Sequence, residues 1–285
     1  MRTRSRGTTR LGGTTRDRSA HFFHGIYAQL GVTDFWRVRR HRPDAGELAH
    51  VEFAHWRDQE IKATALARTN GPLTEMGRRF LALLDAELQQ WAAESVPTGP
   101  LDRANAATAD RLVSWRLLRR PEMADIDRLA QAWRAHGEVP APSGTVRLTF
   151  DKSAAPHRTN PRIALLYVLL EDPARMEHLQ ANPAELGSVD ANASAADVAF
   201  VMGRFEEAVT GYLRQISEDG GDDFTWSGLA LAYERQAPAS PASLMLLAHP
   251  EVVRAVHQRV ARQHGDRIDP IALSGWLQHV TTVGD

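Results

Sequence analysis

The 285-residue chain contains no cysteine, which excludes a disulfide framework and any thiolate metal site and suits a reducing cytoplasm. Lysine is nearly absent too. Only Lys62 and Lys152 occur, so the other 32 of the 34 basic residues are arginine. With abundant Ala, Gly, Pro and Val, that bias matches GC-rich codon usage such as that of actinobacteria. Neither sign of charge dominates: the formal net charge is −1, so no bulk attraction to nucleic acid or to an anionic membrane is expected. Long apolar runs are also missing. The longest, Ile163 to Leu170, is far short of the roughly 18 residues that span a bilayer. There is no G-x-S-x-G, no phosphate-binding G-x-x-x-x-G-K and no G-x-G-x-x-G.

What remains is the composition of a globular protein, 43% apolar and 24% charged, on a chain long enough for one large domain or two ordinary ones. Residues 1–20 stand apart, with six arginines, five threonines, three glycines and almost nothing apolar. Such a segment cannot bury enough surface to offset its ordering entropy, so a disordered basic tail is expected there. It has no apolar core of the kind a secretory signal needs, and no aromatic residues interleave with its arginines as nucleic-acid binding would favour.

From His21 onward the apolar spacing is helical. His21 to Leu30 predicts a helix stopped by Gly31, and Thr33-Asp34 predicts a cap for a second helix over Phe35 to Arg40. A long amphipathic helix is predicted from Asp44 to Arg68, ended by Asn70-Gly71-Pro72. Thr74 caps the next, in which Phe80, Leu81, Leu84, Leu88 and Trp91 recur at three and four. Leu101 to Arg119 and Ala124 to His136 complete a helical domain over 21–137. Trp36, Trp56, Trp91, Trp115 and Trp133 are expected to fill its core. Pro140, Pro142, Gly144 and Pro156 mark 138–156 as a linker, around a possible strand at Thr145 to Phe150.

The region 157–285 is expected to form a second helical domain. Within Asp197 to Tyr233, Gly203-Arg204-Phe205-Glu206-Glu207-Ala208, then Tyr212 and Trp226, resemble one tetratricopeptide unit and part of another. There the glycine is expected to let two helices approach, with Ala208 and Tyr212 packed between them. Pro241, Pro250 and Pro270 each suit a first helical turn. Glu218 to Asp223 lacks the ligand pattern of a calcium loop and reads as an acidic interhelix turn. The fold class is all-α: a multi-helix domain followed by a tetratricopeptide-like helical hairpin region.

Few residues suggest chemistry. A metal site of H-E-x-x-H type needs two imidazoles at i and i+4 on one helix face. Here Glu52-x-x-His55 is present, but Val51 stands where the first histidine must be. His50 and His55 point roughly 140° apart on a helix, so they read as solvent-edge residues. His21 and His24, at i and i+3, share a face.

Leu30-Gly31-Val32-Thr33-Asp34-Phe35-Trp36-Arg37 is similar to a segment of the HExxH-type, 2-oxoglutarate-dependent peptide β-hydroxylases. His24 to Ala28, Glu52-Phe53-Ala54 with Trp56-Arg57, Leu73-Thr74 with Gly77 to Phe80, Trp115-Arg116-Leu117, the Gly203 region and His249 to Val253 look like the same family. The resemblance covers about residues 21 to 285. It implies a role in ribosomal peptide biosynthesis, a precursor peptide as partner, and Fe(II) with 2-oxoglutarate as cofactors of the intact family. It also implies that the HExxH helix lies upstream of the residues seen here. His24 then matches the downstream metal ligand, while Gln29 departs from the histidine expected there in many relatives. One ligand of three would not hold iron, so no cofactor is expected in this chain, and the catalytic residues are not assigned. Thr14 to Ser19 can be encoded by DNA that in another frame resembles the family's preceding segment. The tail is therefore expected to be out-of-frame sequence.

Overall fold

The computed structural model describes residues 15–70, 73–139, 145–150, 159–264 and 268–284, with the backbone alone at 15–24, 70, 150, 263–264 and 284. The fold is all-α with one small sheet. The chain divides into two compact units, Met1–Ala104 and Asn105–Asp285.

The first unit is built from α1 (Thr15–Arg39), α2 (Gly46–Asn70), α3 (Glu75–Ala93) and the start of α4 (Thr98–Arg116). α1 is one continuous helix. It starts inside the segment expected to lack structure, and it passes through Gly31 instead of stopping there. A glycine in a helix interior costs only about 1 kcal/mol against alanine, and packing along α2 offsets that. Thr33 consequently caps nothing. It is fully buried and donates its hydroxyl to the Gln29 carbonyl at 2.9 Å. α3 begins as predicted, with the Thr74 hydroxyl accepting from Gly77 N. Its Leu81, Leu84, Leu88 and Trp91 pack with Ile26, Phe53 and Ala67 into one core.

The second unit continues with β1 (Arg119–Pro121), α5 (Met123–Arg134), β2 (Thr145–Phe150), α6 (Pro161–Glu171), α7 (Pro173–Ala181), α8 (Ala195–Val201), α9 (Phe205–Asp219), α10 (Asp223–Gln236), α11 (Pro241–Ala248), α12 (Pro250–His264), α13 (Pro270–Trp276) and β3 (Thr281–Gly284). β2 pairs antiparallel with β1, Arg119 opposite Phe150, and parallel with β3, Thr145 opposite Thr281. Pro121 sits in an edge strand, where its missing N–H costs no ladder bond.

The stretch 138–156, expected as a linker, thus holds the central strand of a sheet. Val146 and Leu148 are buried in the same core as Ile126, Tyr212, Trp226 and Val253. The division between the units falls at Ala104/Asn105, within α4. Trp115, expected in the core, is 48% exposed. The helical hairpin region forms as α8–α9–α10. Gly203, however, lies in a turn with φ +77° and open space around it, and the close approaches occur at Gly211 and Gly228. Glu218 to Asp223 spans the end of α9, a turn at 220–222 with Gly220 and Gly221 at positive φ, and the start of α10, which the Asp222 carboxylate caps.

Candidate functional site

The sequence-derived candidates lie on α1 and α2. The side chains of His21 and His24 lie outside the described residues. Residues 51 to 55 of α2 are all buried. Five consecutive positions cover more than a full turn, so the helix is enclosed there on every side. His55, expected at a solvent edge, is therefore a buried residue, and His50 is half-buried. Burial, with Arg40 and His41 adding like charge, pushes the His50 imidazole below its ordinary pKa. Glu52 is buried as well and accepts from the Trp56 indole at 2.6 Å. The His55 and Trp56 rings meet edge to face at 5.4 Å.

One turn further along lies a residue the sequence reading passed over. Glu60 is fully buried, and among the described residues neither of its carboxylate oxygens has a hydrogen-bond partner. At 100° per residue it stands on the same face as Phe53 and Ala67, the core face of α2. Burial pushes its pKa from 4.5 up to about 7. The Thr64 hydroxyl, one turn on along that face, is also buried and without a partner among the described residues. Buried polar groups in folded proteins almost always have partners, so this pair marks a place where the core is chemically incomplete. The available signal was a charged residue at an apolar heptad position.

Other charges of the first unit, by contrast, are paired, although Arg40 Nε has no hydrogen-bond partner among the described residues. Arg40 donates to Glu94 at 2.5 Å and to Ser95 O at 2.7 Å, and Arg37 donates to Glu94 at 3.1 Å. Arg57 donates to Trp91 O and Glu94 O, closing the end of α3. Burial alone would raise the Glu94 pKa. The hydrogen bonds from Arg37 and Arg40 outweigh it and hold the carboxyl below its ordinary value.

Two further polar groupings lie in the second unit. Arg162 is buried and donates to Asp110 at 2.7 and 2.8 Å, to Asp197 at 2.7 Å and to Phe224 O at 2.8 Å. Tyr212 donates to the same Asp197 at 2.8 Å. Every polar group in this set is partnered, so it ties helices together and leaves nothing over for a ligand. At the start of α12, Glu251 is buried and accepts from Arg119 at 2.7 Å. Its second oxygen and Arg119 Nε are unpartnered. Burial lifts Glu251 to about 7 against the pull of its own backbone and of Arg119, Arg116 and Arg254. His249 Nδ1 lies 3.3 Å from the Thr282 hydroxyl and 4.0 Å from Glu251. A Thr–His–Glu relay uses both ring nitrogens. Here one nitrogen faces both partners, so no relay forms.

Among the described residues no group of three His, Asp or Glu side chains is placed to hold a metal ion. The described residues therefore do not fit Fe(II). No described helix is long and apolar enough to cross a membrane. Comparison with protein-family models, curated proteins and solved structures found no match.

Proposed function

We propose that this chain is the C-terminal part of an HExxH-type peptide β-hydroxylase of ribosomal peptide biosynthesis, and that it does not hydroxylate peptides by itself. Two things support the reading. The family-like segments His24 to Arg37 and Glu52 to Arg57 fall on α1 and α2, helices that pack along each other. The observation that carries it is Glu60: a fully buried carboxylate, without a hydrogen-bond partner among the described residues, on the helix that also buries Glu52 and His55. A perturbed acid of this kind is where chemistry or its remnants are found. In this reading its partners belong to the upstream part of the enzyme. The test is elemental analysis of the purified protein, with mass spectrometry of a co-encoded precursor peptide incubated with Fe(II) and 2-oxoglutarate. Iron well below one per chain and unmodified peptide are expected. Stoichiometric iron with a hydroxylated product would overturn the proposal.

A second reading, a helical peptide-binding module without catalysis, is favoured by one feature. A groove of about 750 Å³ lies at the start of α8 and the first turns of α9, lined by Ala195, Ala196, Arg204, Phe205, Glu206, Glu207, Thr210, Gly211 and Arg214. Calorimetry with the precursor peptide separates the two readings: heat of binding lost in an Arg204→Glu/Arg214→Glu variant supports the module, and absence of binding removes it.

A further inference from the structure

His257 stands on α12, turned into the core of the second unit and only 5% exposed. Its ring meets that of the fully buried Trp226 edge to face at 5.3 Å. The Trp226 indole N–H is used elsewhere, donating to Gly220 O at 2.9 Å. On its other side, His257 Nε2 lies 3.2 Å from the Ile268 carbonyl oxygen. A carbonyl only accepts, so this contact fixes the tautomer: Nε2 carries the proton and Nδ1 keeps a lone pair. Nδ1 is buried too, and among the described residues it has no hydrogen-bond partner. The ring is thus neutral, bonded through one nitrogen and shut off from water at the other.

That single bond holds a strategic piece of chain. Ile268 and Asp269 lead into α13, which packs on α11 and α12. Ile268 is half-buried against the same core as Trp226, and Asp269 is exposed. Among the described residues the Ile268 carbonyl accepts no other hydrogen bond.

An added proton makes Nδ1 a second donor. In the closed arrangement that donor finds no acceptor among the described residues, and the new charge finds no water, so the charged ring is disfavoured where it lies. The surrounding charges offset this only in part. One turn back on α12, Arg254 is paired with Asp223 of α10, and two residues on, Arg259 is paired with Asp127 of α5. Asp269 draws a proton toward the ring, but its carboxylate already accepts from Ile271 N at 2.9 Å. Burial prevails and holds the imidazole below its ordinary pKa of 6.5.

We infer that His257 is an acid-sensitive latch: its neutral ring fastens the chain entering α13 through Ile268, and proton uptake unfastens it. Because the closed form resists the proton, the opened form binds it first as pH falls below 6.5. Closure therefore weakens from pH 6.5 down to the closed-form pKa and no further. Only the connection has to move to hydrate the ring, since Trp226 is fully buried while Ile268 and Asp269 lie toward the surface. Local opening of such a short, sparsely bonded segment is easier than unfolding the core beneath it. This inference does not depend on the proposed function.

The test is hydrogen exchange of the full chain read by mass spectrometry, with rates corrected for the intrinsic effect of pH. In wild type the protection of residues 268–277 should fall between pH 7 and pH 5. The fall should reach up to about tenfold for each pH unit between 6.5 and the closed-form pKa. His257→Gln keeps an N–H donor for Ile268 and does not titrate, so its protection should be the same at both pH values. His257→Phe keeps a ring against Trp226 but loses the donor, so protection should be low already at pH 7 and fall no further. His249→Gln removes another imidazole that burial holds below its ordinary pKa, and it should leave the fall intact. Wild-type protection that stays level from pH 7 to pH 5, a fall that persists in either His257 variant, or a fall that vanishes in His249→Gln would each overturn the inference. So would a wild-type His257 ring resonance, identified by its loss in the variants, that titrates at or above 6.5.

Discussion

The phenol ring of Tyr212 fills the space that a side chain at residue 228 would need. A β-carbon built on Gly228 would overlap that ring and come within 2.7 Å of Arg162 Nη1. The contact lets α9 and α10 lie close together, and the same side chain carries its hydroxyl to Asp197 on α8. Gly228→Ala is accordingly expected to destabilise the protein by about 1–3 kcal/mol through overpacking, read from urea unfolding. Gly203→Ala makes the useful contrast. Nothing crowds residue 203, but φ is +77°, so a loss of only about 1 kcal/mol is expected, from backbone strain alone.

Arg162 donates to two buried carboxylates at once. Arg162→Met would leave Asp110 and Asp197 buried without their counter-charge, and breaking such a set by removing one partner typically costs about 3–5 kcal/mol. Arg162→Lys should restore only part of that, because one ammonium cannot make the forked bonds to Asp110 and still reach Asp197. If chemical denaturation showed Arg162→Lys as stable as wild type, the forked geometry would not be what matters.

Glu60 makes the first unit sensitive to rising pH. Its folded-state pKa of about 7 lies above the ordinary 4.5. Below 4.5 the carboxyl is protonated in both states and contributes no pH dependence. Between 4.5 and 7 the unfolded chain ionises first, so stability falls as pH rises and levels off above 7. Glu60→Met removes that loss. Thermal unfolding should show the variant gaining up to about 3 kcal/mol over wild type between pH 4 and pH 8 from a shift of this size, and that pH-dependent part of the difference should vanish near pH 4.

Glu94 acts in the opposite sense. Its carboxyl is held below the ordinary value by Arg37 and Arg40, so its contribution is complete above the unfolded pKa and is lost as pH falls through the folded one. Glu94→Gln should therefore weaken the protein at pH 7 by about 1–2 kcal/mol, a figure scaled down for a partly exposed group. Wild type and variant should converge in acid.

How far the sequence reveals this fold depends on the kind of signal. The period of α3 is plain because Leu81, Leu84, Leu88 and Trp91 are all buried on one face, and the Thr74 cap is a local chemical pattern. The all-α class follows from many such stretches. Gly31 misled because a single glycine with no proline after it only weakens a helix, and packing decided the outcome. β1 and β3 were missed because they are three and four residues long and too short to show alternation.

The candidate site was less legible still. The Glu52-x-x-His55 pattern was visible, but whether it faced water depended on enclosure of α2 from all sides. Asp110, Arg162 and Asp197 are 52 and 35 residues apart, and no periodicity announces that three charges will meet. Glu60 alone carried a readable sign, a charge in line with Phe53 and Ala67.

The parallel pairing of β2 with β3 joins Thr145 to Thr281 across 136 positions. Such a contact cannot form early, since closing so long a loop costs entropy before any bond repays it. Val146 and Leu148 belong to the core of the second unit, so that core stays open along one edge until β3 arrives. The small sheet therefore acts as a clock. Local helical hairpins such as α9–α10 form fast, and consolidation of the second unit waits for the strand that is farthest away along the chain.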